Sequence, residues 1–226
     1  MKSLKQELKW QYWLARAYEQ TNDSEKAQQI YQRISTTRHY YGFLASGQLN
    51  QPISLTNNPI MVTDKEKSLL ATFPSHERAY ELHKLKRYTQ ARREWNYLMT
   101  QLTEPQKLAA AQLAYERQWY DRAIFTLSDV GYMDDIELRF PKAFSGDIER
   151  YSQVNKVNPA WTYAIARRES AFMVDAYSHA GARGLMQMLP STAKQMKEKA
   201  VSKNNLMKAK ININLGTKYL NYLMSR

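Results

Sequence analysis

Ala79-Tyr80-Glu81-Leu82, followed by Tyr88, Ala91, Trp95 and Leu98, is the stretch that decides the fold class. Its apolar residues recur at three- and four-residue intervals on either side of a short polar turn, which predicts two amphipathic helices packed back to back. The same design stands upstream. Trp13-Leu14-x-x-Ala17-Tyr18 leads to the breaker Thr21-Asn22-Asp23-Ser24 and then to Ala27, Ile30, Tyr31 and Ile34. It returns downstream as Leu113-Ala114, then Trp119, Ala123 and Leu127. In each unit alanine falls where helix backbones must approach closely. Repeated hairpins of this kind bury one another's apolar faces, so an all-α fold that begins as an α-superhelix is expected. The segment from Gln51-Pro52 to Pro59 reads as a loop between hairpins.

Bulk composition agrees. Only 7 Gly and 7 Pro in 226 residues favour long helices over strands and turns. No run approaches the roughly 18 apolar residues of a membrane span, and Met1 to Trp10 has no apolar core of a signal peptide. The absence of Cys excludes disulfides, a thiol nucleophile and thiolate metal sites. The four His residues have no metal-ligand spacing, and no cofactor is implied. A net charge of +12 suits an anionic partner. A generally basic surface accounts for it equally well, because Lys and Arg are scattered. Nucleic-acid binding would need a concentrated basic stripe, which the sequence lacks. Most Tyr and Trp of the first half read as core rather than as a sugar-stacking surface.

After Phe140-Pro141 the character changes, with Gly146, Gly181, Gly184 and Gly216 falling in the last part of the chain. Asn158-Pro159 opens a helix well, since Asn caps and Pro at the first position loses no hydrogen bond. Trp161, Ile165, Glu169 and Phe172 then share one stripe, which puts a carboxyl on the apolar face near the helix end. A carboxyl desolvated in such a place is favoured in its protonated form, as a general acid requires. From the helix pattern alone, a Glu whose stem packs while its head reaches water is the commoner outcome. Gln187 in an apolar run should be hydrogen-bonded, either to a ligand or to backbone. Asp175, six residues beyond Glu169, reads as a solvated loop charge rather than as a second acid.

Ile165-Ala166-Arg167-Arg168-Glu169-Ser170-Ala171, Gly184-Leu185-Met186-Gln187 and Pro190-Ser191-Thr192-Ala193, taken together, closely resemble the lytic transglycosylase family, and more narrowly its large soluble periplasmic members. Asn212-Ile213-x-x-Gly216-x-x-Tyr219-Leu220 follows the same pattern, as do upstream stretches at Glu77–Leu82, Arg93–Trp95 and Glu137–Pro141. The resemblance implies the end of a helical superhelix over 1–73, a helical linker domain over 74–140, and an incomplete lysozyme-like catalytic domain over 141–226. It implies that Glu169 is the single catalytic acid and base, and that the bond between N-acetylmuramic acid and N-acetylglucosamine is cleaved with formation of a 1,6-anhydro ring. Ser170, Ser178, Met186, Gln187 and Thr192 would contact glycan or orient the acid, with Gln187 favoured for ligand contact. The implied partners are peptidoglycan glycan strands and cell-wall synthesis proteins, and the implied location is the periplasm. A further Ala-Tyr-Asn-Ala-Gly motif of the family is absent, so the sequence reads as an internal piece of a larger enzyme. A helical scaffold without activity and a hydrolytic muramidase stay open as alternatives.

Overall fold

The computed structural model describes residues 7–196 and 201–226, so the first six residues of the amino-terminal stretch lie outside it. The chain forms two compact units, Met1–Asn57 and Asn58–Arg226. The first holds α1 (Leu8–Gln20), α2 (Ser24–Ser35) and α3 (Tyr40–Gln48). Tyr12 and Ala15 of α1 pack on Ala27, Ile30, Tyr31 and Ile34 of α2, with Ala45 of α3 closing the cluster. The α1–α2 hairpin is the one expected, but α1 faces it differently. Trp13 and Leu14 are 54% and 48% exposed, while Tyr12 and Ala15 are buried. Two close-packed helices place a small residue at the contact, and Ala15 takes it.

Residues 51–63, the expected loop, form neither helix nor strand, and the second unit begins within this stretch at Asn58. Its buried anchor is Asp135. One carboxylate oxygen accepts from Ile60 N and the other from Leu138 N, both at 2.9 Å, and the second bond caps the short helix that follows. Thr63 and Glu66 form a reciprocal capping box at the start of α4 (Asp64–Leu70). Two helical hairpins follow: α5 (Pro74–Lys84) with α6 (Tyr88–Gln101), and α7 (Glu104–Glu116) with α8 (Tyr120–Val130). Their shared core holds Leu70, Tyr80, Trp95, Leu98 and Trp119. The rings of Tyr80, Trp95 and Trp119 meet edge to face, with centroids 5.2–5.9 Å apart. Trp95 satisfies its buried N–H by donating to Thr126 Oγ1 at 3.2 Å.

The chain continues through α9 (Ile136–Arg139), α10 (Ser145–Val154), α11 (Pro159–Ser170), α12 (Pro190–Met196), a 3-10 turn at Asn205–Met207, and α13 (Ala209–Met224). Helices α10, α11 and α13 pack around Ile148, Ala166, Leu185, Met186 and Ile213. A buried Ser152–Thr162 hydroxyl pair, 2.8 Å apart, joins α10 to α11. Asn155, the residue that ends α10, donates to Thr217 of α13 at 2.7 Å. Among the described residues the only β pairings are isolated bridges, Tyr177 with Arg183 and Arg183 with Met188. The all-α expectation holds. No helix among the described residues is long and apolar enough to cross a membrane.

His76 lies buried against Tyr80 in the α5–α8 core, and neither ring nitrogen has a hydrogen-bond partner among the described residues. Burial lowers its pKa from the usual 6.5, and nearby Arg117 lowers it further. The unfolded chain then takes up this proton more readily than the folded one, so stability is present above about pH 6.5 and is lost as pH falls below it. Burial lowers the pKa of His83 as well, which steepens the same loss. Thermal midpoints should fall between pH 7.5 and 5, and His76→Phe should make that fall shallower. An unchanged slope would show that the ring's protonation does not limit the fold.

Candidate active site

Helix α11 begins as its sequence requires, with Asn158 Oδ1 accepting from Ala160 N at 2.9 Å and Pro159 in the first turn. It ends in two consecutive left-handed residues, Ala171 (φ 49°) and Phe172 (φ 66°), which turn the chain sharply just after Glu169. The buried face of α11 is Thr162, Ala166 and Ser170. The expected apolar stripe lies beside it: Trp161 is 60% exposed and Ile165 is half-buried. Glu169 is exposed, so the desolvation expected from that stripe is absent. The correction has a packing cause, because α10 and the loop after α11 approach so closely that only small side chains fit between.

The Glu169 carboxyl has no hydrogen-bond or ion-pair partner among the described residues. Its neighbour Arg167 is turned away, donating to Arg139 O at 2.8 Å and lying over the Phe140 ring. Glu169 therefore stands as an unengaged carboxyl at the end of α11.

The segment from Ala171 to Leu189 folds back on this helix end, and most of the other expected site residues hold it there. Ser170 is buried, and its hydroxyl reaches Leu185 O at 2.8 Å and Ala166 O at 3.1 Å. Its hydroxyl thus ties the loop to the end of α11. Ser178 is half-buried and opens a tight turn, its Oγ accepting from Ala182 N at 3.1 Å. Met186 is 6% exposed and belongs to the core. Gln187, with φ 46°, donates through Nε2 to Gly184 O at 2.9 Å and to Ala176 O at 3.3 Å. Of the two partners expected for Gln187, backbone is the one found. Its amide oxygen has none among the described residues. Thr192 is half-buried in the first turn of α12.

Two further residues complete the arrangement. Asn212, fully buried in α13, accepts from Met186 N at 2.7 Å and donates to Arg183 O at 2.8 Å and Leu206 O at 2.7 Å. The sequence offered it as part of a family pattern without a role. Gly184 (φ 71°) lies against it, and a Cβ there would come within 2.5 Å of Leu206 O.

Asp175, expected to be solvated, instead accepts two hydrogen bonds from Arg92 of α6, at 2.9 and 2.6 Å. Both side chains are only about a fifth exposed (23% and 22%), and Asp175 raises the pKa of Arg92. The sequence could not offer a pair 83 positions apart. Arg92→Ala should cost on the order of 2 kcal/mol, the usual loss for a charge-assisted bond. A double-mutant cycle with Asp175→Asn should show strong coupling, and additive losses would show that the pair contributes nothing.

The helical unit presents an exposed carboxyl at the end of α11, and residues 147–226 match the family model described as Transglycosylase SLT domain. Residues 70–136 match the Soluble lytic murein transglycosylase L domain. The chain belongs to the soluble lytic murein transglycosylase family. It is 28% identical over 224 residues to the soluble lytic murein transglycosylase of Escherichia coli K12, covering 97% of this chain and 34% of that protein. An inactive glutamate-to-glutamine mutant of lytic transglycosylase Slt from Pseudomonas aeruginosa superposes with a TM-score of 0.86 at 35% identity, over 100% of this chain and 38% of that one. The 70 kDa soluble lytic transglycosylase of Escherichia coli gives 0.90 at 27%, over 100% and 37%. The chain thus spans about a third of the length of the curated relatives it matches.

Proposed function

We propose that this chain carries the catalytic acid of a lytic transglycosylase acting on peptidoglycan, and that Glu169 is that acid. The observation that carries the reading is the exposed Glu169 carboxyl, without a partner among the described residues, at the end of α11. The reading is supported by the relatives' name and by the inactivity of a related enzyme in which one Glu is Gln.

In this mechanism Glu169 protonates the glycosidic oxygen between N-acetylmuramic acid and N-acetylglucosamine, and the bond to the muramic C1 breaks. The carboxylate so formed takes the proton of the same sugar's 6-hydroxyl, whose oxygen closes on C1. Water is neither consumed nor released, and the carboxyl ends in its starting form. One carboxyl then suffices where a hydrolytic glycosidase uses two. Consistent with this, Asp175 is engaged by Arg92.

Around it, Ser170 and Gln187 hold the loop through backbone carbonyls, and the free amide oxygen of Gln187 is offered to the acetamido N–H of a bound sugar. Ser178, Met186 and Thr192 shape the groove. We assign residues 1–73 to the end of a superhelix, 74–140 to the linker domain and 141–226 to the catalytic domain, working in the periplasm. Cell-wall synthesis proteins are further partners in this reading.

The test is mass spectrometry of murein sacculi incubated with the chain. Anhydromuropeptides support the reading. Products heavier by one water make the chain a muramidase, and no products leave it a helical scaffold.

A further inference from the structure

Part of the loop after α11 folds back on itself as a small hairpin. Gly184 N donates to Ala176 O at 2.9 Å and Ser178 N to Ala182 O at 3.1 Å, with Gly181 (φ 88°) in the turn between. These bonds flank Tyr177 and Arg183, which stand directly opposite each other without exchanging a bond. That is the pairing in which facing side chains come closest. The Arg183 guanidinium accordingly lies over the Tyr177 ring, 4.6 Å from its centre.

Two features of the pair point to a ligand. Tyr177 is 60% exposed, so the stack with Arg183 leaves much of the ring open. The Nε of Arg183 is buried and has no hydrogen-bond partner among the described residues. A guanidinium N–H without an acceptor is costly. The loop supplies none: between Ser170 and Met196 the one acidic residue is Asp175, which Arg92 holds. A carboxylate is the acceptor whose two oxygens match Nε and its neighbouring nitrogen together. The ring face beside it suits the C–H surface of a sugar.

The pair is rooted beside the residues proposed to act. Gln187 Nε2 donates to Ala176 O and Gly184 O, the carbonyls adjoining Tyr177 and Arg183. Leu185 O, two residues beyond Arg183, accepts from Ser170, the neighbour of Glu169. Two residues of chain span at most about 7 Å, so the backbone of Arg183 lies close to the end of α11.

We infer that Tyr177 and Arg183 are specificity-determining residues that select glycan whose muramic residue carries a carboxylate. The Arg183 guanidinium pairs with that carboxylate, in the lactyl group or in the peptide built on it, while the Tyr177 ring packs on the sugar. The inference rests on the peptidoglycan reading and deepens it. Glu169 would meet acidic glycan in preference to a neutral polymer of N-acetylglucosamine.

The experiment is isothermal titration of the Glu169→Gln chain with two bare tetrasaccharides. One alternates N-acetylglucosamine with N-acetylmuramic acid, and the other is N-acetylglucosamine throughout. The acidic ligand should bind at least about tenfold tighter. Adding Arg183→Gln should remove that preference by weakening the acidic ligand alone, and Tyr177→Ala should weaken both. Arg183→Lys keeps the charge without the planar fork, so it should retain part of the preference, and it carries the comparison should the glutamine variant unfold. The acidic tetrasaccharide with its peptide stems, in which the lactyl group is an amide, separates the two carboxylates. A preference kept there places the stem on Arg183, and one confined to bare glycan places the lactyl group. No binding of either acidic form, no preference for one, or a preference untouched at Arg183 overturns the inference. Anhydro products from a parent chain that ignores the acidic group sink only the selectivity. Arg183-dependent binding in a parent chain that yields no such products sinks only the lytic reading.

Discussion

A Glu169→Gln chain should release anhydromuropeptides from sacculi at a rate lower by roughly 10²–10⁴-fold, the contribution typical of a positioned acid and base. The substitution keeps the shape and hydrogen-bonding reach of the side chain and removes only its proton chemistry. An amide cannot protonate the glycosidic oxygen or accept the 6-hydroxyl proton afterwards. Because Glu169 is exposed and bonded to no described residue, its loss should leave the thermal midpoint almost unchanged, within the range of about 0.5 kcal/mol usual for such surface sites. The informative result is the split between the two measurements. Loss of product with an intact fold assigns chemistry to the carboxyl. Product formed at the parental rate would move the catalytic group elsewhere.

The opposite split is expected at Asn212. Its side chain makes three buried hydrogen bonds, to Met186 N, Arg183 O and Leu206 O. Asn212→Ala leaves the Met186 amide and the Leu206 carbonyl without partners where water does not reach, and removes one of the two donors of the Arg183 carbonyl, which still accepts from Met188 N. Each such group costs about 1–3 kcal/mol, so a loss on the order of 3–5 kcal/mol is expected. That is a large part of the roughly 5–15 kcal/mol by which whole domains are stable. Urea unfolding of the variant should show a lower midpoint, with activity falling through loss of the folded fraction. Asn212→Asp should rescue little, since a carboxylate accepts from Met186 N but faces two carbonyl oxygens. A midpoint within about 1 kcal/mol of the parent would mean that the loop holds itself.

What the sequence disclosed and what it hid follow from the range of each interaction. The hairpins were legible because helical spacing is local, and the start of α11 was legible because Asn158 and Pro159 act within one turn. The buried face of α11 was misread by one position. Apolar size points to Trp161 and Ile165, whereas helices at close approach bury Thr162, Ala166 and Ser170. In the loop, residue types revealed that Gln187 must be bonded but not to what. Its partners are carbonyls fixed by the fold of the loop itself. Asp175 was misjudged because its charge partner comes from α6, and no local pattern carries that information.

The bond between Arg92 and Asp175 also bears on how freely the parts of this chain can be exchanged. Residues 147–226 take Asp175 with them wherever they are grafted, but Arg92 stays behind in the helical segment before them. A chimera joined at residues 140–146 to a foreign helical partner would bring a half-buried carboxylate to a surface with no guanidinium to receive it. The strand of chain immediately after Glu169 would then start from a different position. In this architecture the segment 147–226 is matched to its neighbour, and a working swap needs the junction's counter-charge moved along with it.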